Sequence, residues 1–466
     1  MAELPSPGTD WTFSRRWQRC QGGDALVKRL LVWKYFIVLV LVFCGVDTYA
    51  EEASSKEGAA SPNQGVLGDW GGLRTRLYQA GVDFQLGFTT EAAYNAQGGD
   101  KNLLRNASQF TFGATFDTNK LLGWPGGRFQ MTITDRNGDN LSADANLGTL
   151  IQVQEIFGRG NVFRLTQFWY DQVLFDNLVD IKVGRMGVGE DFMSFSCYFM
   201  NLSFCGSLPG NIVNTWFNWP VSQWAARLKI NITPEWYAQV GAYQVNPNNL
   251  NTSTALQLFP PSGTIGTLVP VEVGWTPKLF TAALPGAYRI GYWYDSSNQP
   301  NVFLAANGQP LVLSPGVPAL TESSESGWYL MAQQQLTTVR GDASRGLTLF
   351  ANFVQADRNT ATIDQLITVG VFYTGPFDAR PQDDLGFAVG RTHVNNKVAQ
   401  GQELQNASGL GPVAVQNSEY PVEFYYSFNV SKWLMLRPNI QYIVHPGGTS
   451  ENKNVVVLGL KAWIKF

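Results

Sequence analysis

The residues able to do chemistry in this chain of 466 are few, and their spacing matters more than their number. His393 and His445 are the only two histidines, and neither stands in a nucleophile motif, so a hydrolase centre has no visible base. Cys197 and Cys205, eight apart, are too few for zinc in a chain with two histidines. In an oxidising compartment they would pair as a loop staple. No catalytic residue, metal site or cofactor site emerges. What recurs instead is a charged or amide side chain at every second position between apolar ones. Asp83, Gln85, Glu91, Arg128, Asp171, Arg227, Lys229, Arg289, Asp295, Lys461 and Lys465 all fall this way. Trp169, Trp293 and Trp463 lie on or near the same polar sides. Charged partners strengthen hydrogen bonds to hydroxyl groups, and flat rings accept the C–H faces of a sugar. Such a wall suits a neutral, hydrogen-bonding solute, whereas strong ion selectivity favours rings of one sign. The structural reading is equally direct: an inward Arg or Asp braces the wall, and a Trp serves an interfacial girdle.

These side chains need elements that hold them on one face, and the pattern supplies them. After Gly81 the hydrophobic period is two. Phe84, Leu86 and Phe88 alternate with Asp83, Gln85 and Gly87; Tyr288, Ile290, Tyr292 and Tyr294 alternate with Arg289, Gly291, Trp293 and Asp295. Successive side chains on a strand point to opposite faces, so each run has one apolar and one polar side. About sixteen runs follow, at 82–96, 108–118, 127–135, 162–174, 179–187, 221–231, 235–245, 267–275, 286–296, 327–338, 346–356, 364–374, 384–393, 418–430, 433–443 and 454–466. The runs 162–174 and 346–356 are ambiguous about which face is which. Gaps after odd-numbered runs are mostly long and those after even-numbered runs mostly short, the asymmetry of outer loops and periplasmic turns. The expected fold is all-β: a closed antiparallel transmembrane β-barrel of about sixteen strands over 82–466. Ahead of it, 51–81 forms a periplasmic lead-in with a short helix near 71–80, capped by Asp69 and stopped by Gly81. Sixteen strands enclose more space than side chains fill and leave an aqueous channel.

Composition agrees. Charged residues are 15% of the chain against 13% aromatic, with 15 Trp and 47 Gly; typical soluble domains carry about 25% charge. Residues 1–50 read as a signal peptide: a basic lead through Lys34, an apolar run Tyr35 to Val46, and Thr48-Tyr49-Ala50 as cleavage site. The lead is long, and a start downstream of Met1 stays open. Without these 50 residues, 27 basic side chains face 32 acidic ones, a net of −5 that offers no basic surface to nucleic acid. No apolar run after Ala50 is long enough for a membrane helix.

Two segments carry further expectations. The long gap 188–220 holds Glu190, Asp191, Cys197, Cys205, Trp216 and Trp219 and is too apolar for open water. It is expected to fold inward as a constriction loop pinned by a Cys197–Cys205 bridge. The last run ends on Phe466, an address tag for the barrel-assembly machinery. The partners expected are small sugars and outer-membrane lipid. A homotrimer is compatible with a barrel of this size, without any oligomer signal in the sequence.

Leu67-Gly68-Asp69-Trp70-Gly71-Gly72-Leu73-Arg74, Glu91 with Tyr94-Asn95, Lys182-Val183-Gly184-Arg185-Met186, Asn201 through Gly206, Gly241 through Pro247 and the terminal Phe466 together resemble the OprB family of carbohydrate-selective porins. The likeness runs from about 67 to 466. It implies a sixteen-stranded outer-membrane barrel passing glucose and other sugars by diffusion, with Glu91 and the constriction-loop acids as solute contacts. The chain departs from the family's pattern in the fourth strand, where Gln167 and Asp171 stand. The rival readings are a porin for another polar or ionic solute, a secreted β-rich carbohydrate-binding protein, and an outer-membrane barrel enzyme.

Overall fold

Alternation becomes pairing in the computed structural model, which describes residues 65–466; the expected signal peptide 1–50 and the stretch 51–64 lie outside the described residues. The barrel strands are β1 (Val82–Gln97), β2 (Leu104–Asp117), β3 (Gly127–Gly138), β4 (Val162–Leu174), β5 (Val179–Met186), β6 (Gln223–Asn231), β7 (Trp236–Val245), β8 (Gly266–Trp275), β9 (Leu284–Asp295), β10 (Glu325–Gln335), β11 (Gly346–Gln355), β12 (Ile363–Thr374), β13 (Asp384–Val394), β14 (Ser418–Ser431), β15 (Leu434–Val444) and β16 (Val455–Lys465). Each pairs antiparallel with its neighbours, and β1 pairs with β16, so sixteen strands close on themselves. The closing register sets Glu91 opposite Lys461 and Phe88 opposite Ile464. The Phe466 N–H donates to Leu86 O at 3.2 Å, extending the seam to the last residue. A two-residue strand, Lys278–Leu279, and a hairpin of Gln299–Ala305 with Ala319–Glu322 lie outside this ring.

The burial pattern is that of a soluble protein reversed. Val240, Val271, Ile290, Leu330, Leu349, Phe424, Ile440, Leu458 and Leu460 are exposed, while Gln239, Glu272, Asn352, Glu423, Gln441 and Lys461 between them are buried. An apolar outer band fits lipid, where only a closed sheet leaves no backbone group unpaired. Aromatic residues mark its edges. Trp236, Trp275 and Tyr288 stack at 5.5 and 5.3 Å at the end of the barrel bearing the short turns. Tyr294, Tyr420 and Tyr442 stand exposed at the other.

Both ambiguous runs have physical causes. In β4 the register to β3 steps between Thr132 and Ile133, leaving Thr166 unmatched. This bulge lets Arg164 face inward beside Gln167, Trp169 and Asp171, which breaks the alternation. In β11 the inward side carries Phe350 and Val354 because a loop packs on it from within.

The short helix is Leu73–Ala80, ended by Gly81 at φ 100, whose N–H donates to Leu77 O. Asp69 acts at its start by accepting from Thr75 N and Oγ1 at 2.8 and 2.7 Å. The side it buries is Arg74, not Leu73, which stays 44% exposed. Arg74 Nη2 donates to Phe84 O at 3.3 Å, tying the helix to the mouth of β1.

Leu460 lies near the middle of β16 on the outer face. Leu460→Arg is expected to destabilise the barrel by about 2–4 kcal/mol, read by urea unfolding in lipid vesicles. An unchanged midpoint would contradict the assignment of this face to lipid.

Candidate functional site

A sixteen-stranded ring is too wide for wall side chains to fill, and two loops occupy the space. Loop L2, residues 139–161, and loop L3, residues 187–222, both turn inward. In L2, Leu141, Ala145, Leu147 and Val153 pack with Ala93, Ile443, Val455 and Val457 of the wall. In L3, Phe195 and Phe199 lie against Phe350, Phe372 and Tyr425, with Phe199 5.0 Å from Tyr425. Gly241 on β7 leaves room for Phe192: a Cβ there would lie 2.9 Å from its ring. The loops also pair with each other, Glu155 N to Met200 O at 2.9 Å and Leu202 N to Gln152 O at 3.1 Å.

Buried wall charges clamp the backbone of both loops. Glu423 accepts from Met200 N and Asn201 N, each at 2.8 Å, and Glu272 accepts from Met193 N at 2.8 Å. Glu419 accepts from Leu150 N at 2.7 Å. Arg289 donates to the Ser194 carbonyl, and Arg437 to the Tyr198 carbonyl at 2.5 Å. Cys197 and Cys205 are joined by a disulfide within L3.

Each sequence candidate has a definite place. Arg128, Asp171, Arg227, Glu190 and Asp191 form one network with Asp180 and Lys182. Arg128 is 3.1 Å from Asp171; Arg227 is 2.9 Å from Asp180 and 3.5 Å from both Asp171 and Asp191; Lys182 is 3.2 Å from both Glu190 and Asp191. Trp169 sits inside it, with Lys182 over its ring at 4.3 Å and its N–H on Glu190 at 3.1 Å. Lys229 lies over the Tyr237 ring at 4.3 Å. Of this group Arg128 keeps an open head, its side chain 56% exposed.

Three candidates differ from the expectation of solute contact, because all three are buried, Glu91 and Trp293 by the loops. Glu91 is fully buried under L2, accepting from Ile156 N at 3.3 Å. Trp293 is 1% exposed, packed edge-on against Trp216 of L3 at 5.5 Å. Asp295 is fully buried and accepts from Ser297 N at 2.8 Å. Arg289 is likewise committed to the loop it clamps. These four brace the interior; they offer little or no surface to a passing molecule.

A further polar group gathers where L2 meets β3. Arg136 faces inward with only Nε tied, to Gln109 Oε1 at 2.8 Å; its terminal nitrogens have no partner among the described residues. Trp219 of L3 donates to the same Gln109 oxygen at 3.0 Å, which brings a half-exposed indole beside the guanidinium. Glu155 and Arg159 of L2 are electrostatic neighbours of Arg136. Arg159 keeps its side chain open to lumen water yet lies deep in the protein, and burial holds its guanidinium below the usual value. Among the described residues, Arg136 and Arg159 form no salt bridge; Arg136 is 7% exposed, while Arg159 is the exposed one of the two.

A family description, "Carbohydrate-selective porin, OprB family", matches residues 101–466. The chain belongs to this family. It is 47% identical over 423 residues to Porin B of Pseudomonas aeruginosa, an alignment covering 88% of this chain and 93% of that protein. It is 36% identical over 422 residues to the putative porin QuiX of Acinetobacter baylyi, covering 86% and 93%. The high-pH structure of Pseudomonas putida OprB superposes with a TM-score of 0.84 at 46% identity, covering 88% of this chain and all of that one. The protein is thus an outer-membrane porin for carbohydrates, a transport channel of the sixteen-stranded type.

Sequence reasoning missed Arg136, Glu155, Arg159 and Trp219 as a group. Arg136 continues the inward series Arg128, Gln130, Thr132, Thr134, and a third strand extended past 135 would have found it. Nothing in L2 marks Glu155 or Arg159, since a loop has no period.

Glu423 is the clearest anchor of L3. Glu423→Ala is expected to leave two buried N–H groups without partners, at about 1–3 kcal/mol each. The porin should still insert, with larger and noisier single-channel conductance in planar bilayers. A trace identical to wild type would show that the clamp does not hold the loop.

Proposed function

We propose that the porin passes glucose-type monosaccharides and small oligosaccharides through a constriction formed by Arg136, Glu155, Arg159 and Trp219. The observation that supports this is that Arg136 and the Trp219 indole donate to one Gln109 oxygen, with Glu155 and Arg159 of L2 as electrostatic neighbours of that guanidinium. Guanidinium donors and a carboxylate acceptor match a ring of hydroxyls that both give and take hydrogen bonds. The indole offers the apolar face that a sugar's C–H surface requires. Passage is diffusion down a gradient: every contact is reversible, and selectivity is a difference in how well each solute replaces the water it sheds. Arg128, Asp171, Arg227 and Lys229 form the wall network met elsewhere in the lumen, with the Arg128 head reaching open water. The outer band is the surface for lipid and the one through which a homotrimer would form. The β16 strand ending in Phe466 is the address for the barrel-assembly machinery.

A second reading, a porin for small anions, draws on the same site. Arg136, with Arg159 and Arg164 near it, faces Glu155 and Glu91, a positive excess that attracts anions. Liposome swelling separates the two. With Arg136→Gln and Trp219→Ala, glucose entry is expected to slow by about tenfold, the low-end value of one charge-assisted hydrogen bond, with entry of a similarly sized apolar-faced polyol less affected. Equal slowing of all solutes, together with loss of anion preference in bilayer reversal potentials, would favour the anion reading instead.

A further inference from the structure

Lys461 occupies a position that the wall network does not explain. It stands on the last strand, 5% exposed, directly opposite Glu91 on the first. Its Nζ donates to Glu155 Oε1 at 2.8 Å and to the Cys197 carbonyl at 3.3 Å, and lies 3.2 Å from Glu91 Oε1. One ammonium therefore joins both ends of the barrel wall, L2, and the disulfide-bonded turn of L3. The side chain of Glu155 lies within 4.8 Å of both cysteine sulfurs, so the carboxylate is hemmed in from that side as well. Its other oxygen, Oε2, accepts nothing among the described residues. An ammonium carries three donors and no acceptor; here two hydrogen bonds go to Glu155 and the Cys197 carbonyl, Glu91 is the ion-pair partner, and the Glu155 carboxylate keeps Oε2.

We propose that Lys461 is a positioning residue for sugar selection: by fixing one oxygen of Glu155 it aims the other into the constriction, and so sets which sugars pass. The inference rests on the constriction assigned above. It differs from simple wall bracing because Glu91 alone would satisfy a seam ion pair, whereas the shorter contact goes to Glu155. Arg136 and Arg437 are the other cations in the electrostatic surroundings of Glu155 and Lys461, and neither forms a salt bridge with Glu155. Lys461 is thus the group that decides where the acceptor points.

The test uses the whole mature porin in liposomes, with glucose and maltose swelling rates as the readout. Lys461→Gln alone strands the buried Glu91 carboxylate and is expected to fold poorly, so the informative variant is Glu91→Gln/Lys461→Gln, which leaves a neutral hydrogen-bonded pair at the seam. This variant should fold, by heat-modifiable mobility on gels, while its glucose-to-maltose ratio falls about tenfold. Lys461→Arg should keep the ratio. Adding Glu155→Gln to the double variant should change the ratio no further, since both changes remove one effect. A folded double variant with the wild-type ratio would overturn the proposal, as would a full additional loss from Glu155→Gln. If Glu155→Gln alone leaves the ratio untouched, the constriction itself is wrongly placed, which is a separate failure.

Discussion

Lipid cannot hydrogen-bond to a peptide group, and the rest of this structure follows from that refusal. Every N–H and C=O at membrane depth must find a partner in the sheet, which forces the sheet to close. Closure with sixteen strands then fixes a width, and that width exceeds what wall side chains can fill. The protein solves the second problem with chain it has to spare. L2 and L3 enter the barrel and bring apolar side chains into a space that the sheet alone would leave to water.

An inward loop carries its own unsatisfied backbone, and the wall answers with charge. Glu419, Glu423 and Glu272 receive loop N–H groups, while Arg289, Arg437 and Lys461 give to loop carbonyls. Each is a charge-assisted hydrogen bond, stronger than a neutral one. Burying such groups without these partners would cost several kcal/mol per ion. The lumen charges are therefore divided between two duties. Those beneath the loops hold them in place, and Arg136 and Arg159, outside any salt bridge among the described residues, are not spent on that duty.

The sequence displays the wall well and the plug badly, for the same reason. A strand facing lipid on one side and polar matter on the other must alternate, so strands such as β9 and β16 are legible to within two residues. Legibility fails where the inside is not water. Phe350 and Phe372 point inward because L3 covers them, and Thr166 slips the register of β4. The same cover turns Glu91 and Trp293 from exposed wall groups into buried ones. The inward fold of L3 was legible from its own Phe and Trp content. That of L2 was not: its apolar residues are spaced to meet a wall that only the closed barrel creates. Arg159 and Glu155 come together with Arg136 through that docking, which no local pattern encodes.

The seam between β1 and β16 has a temporal meaning. One residue that ties both L2 and L3 to the wall, Lys461, belongs to the last strand, and its partner Glu91 to the first. An unfinished barrel lacks that tie. The pairing that seals the cylinder against the membrane also brings Glu91 to Lys461, so closure of the wall and anchoring of the two loops meet at one seam.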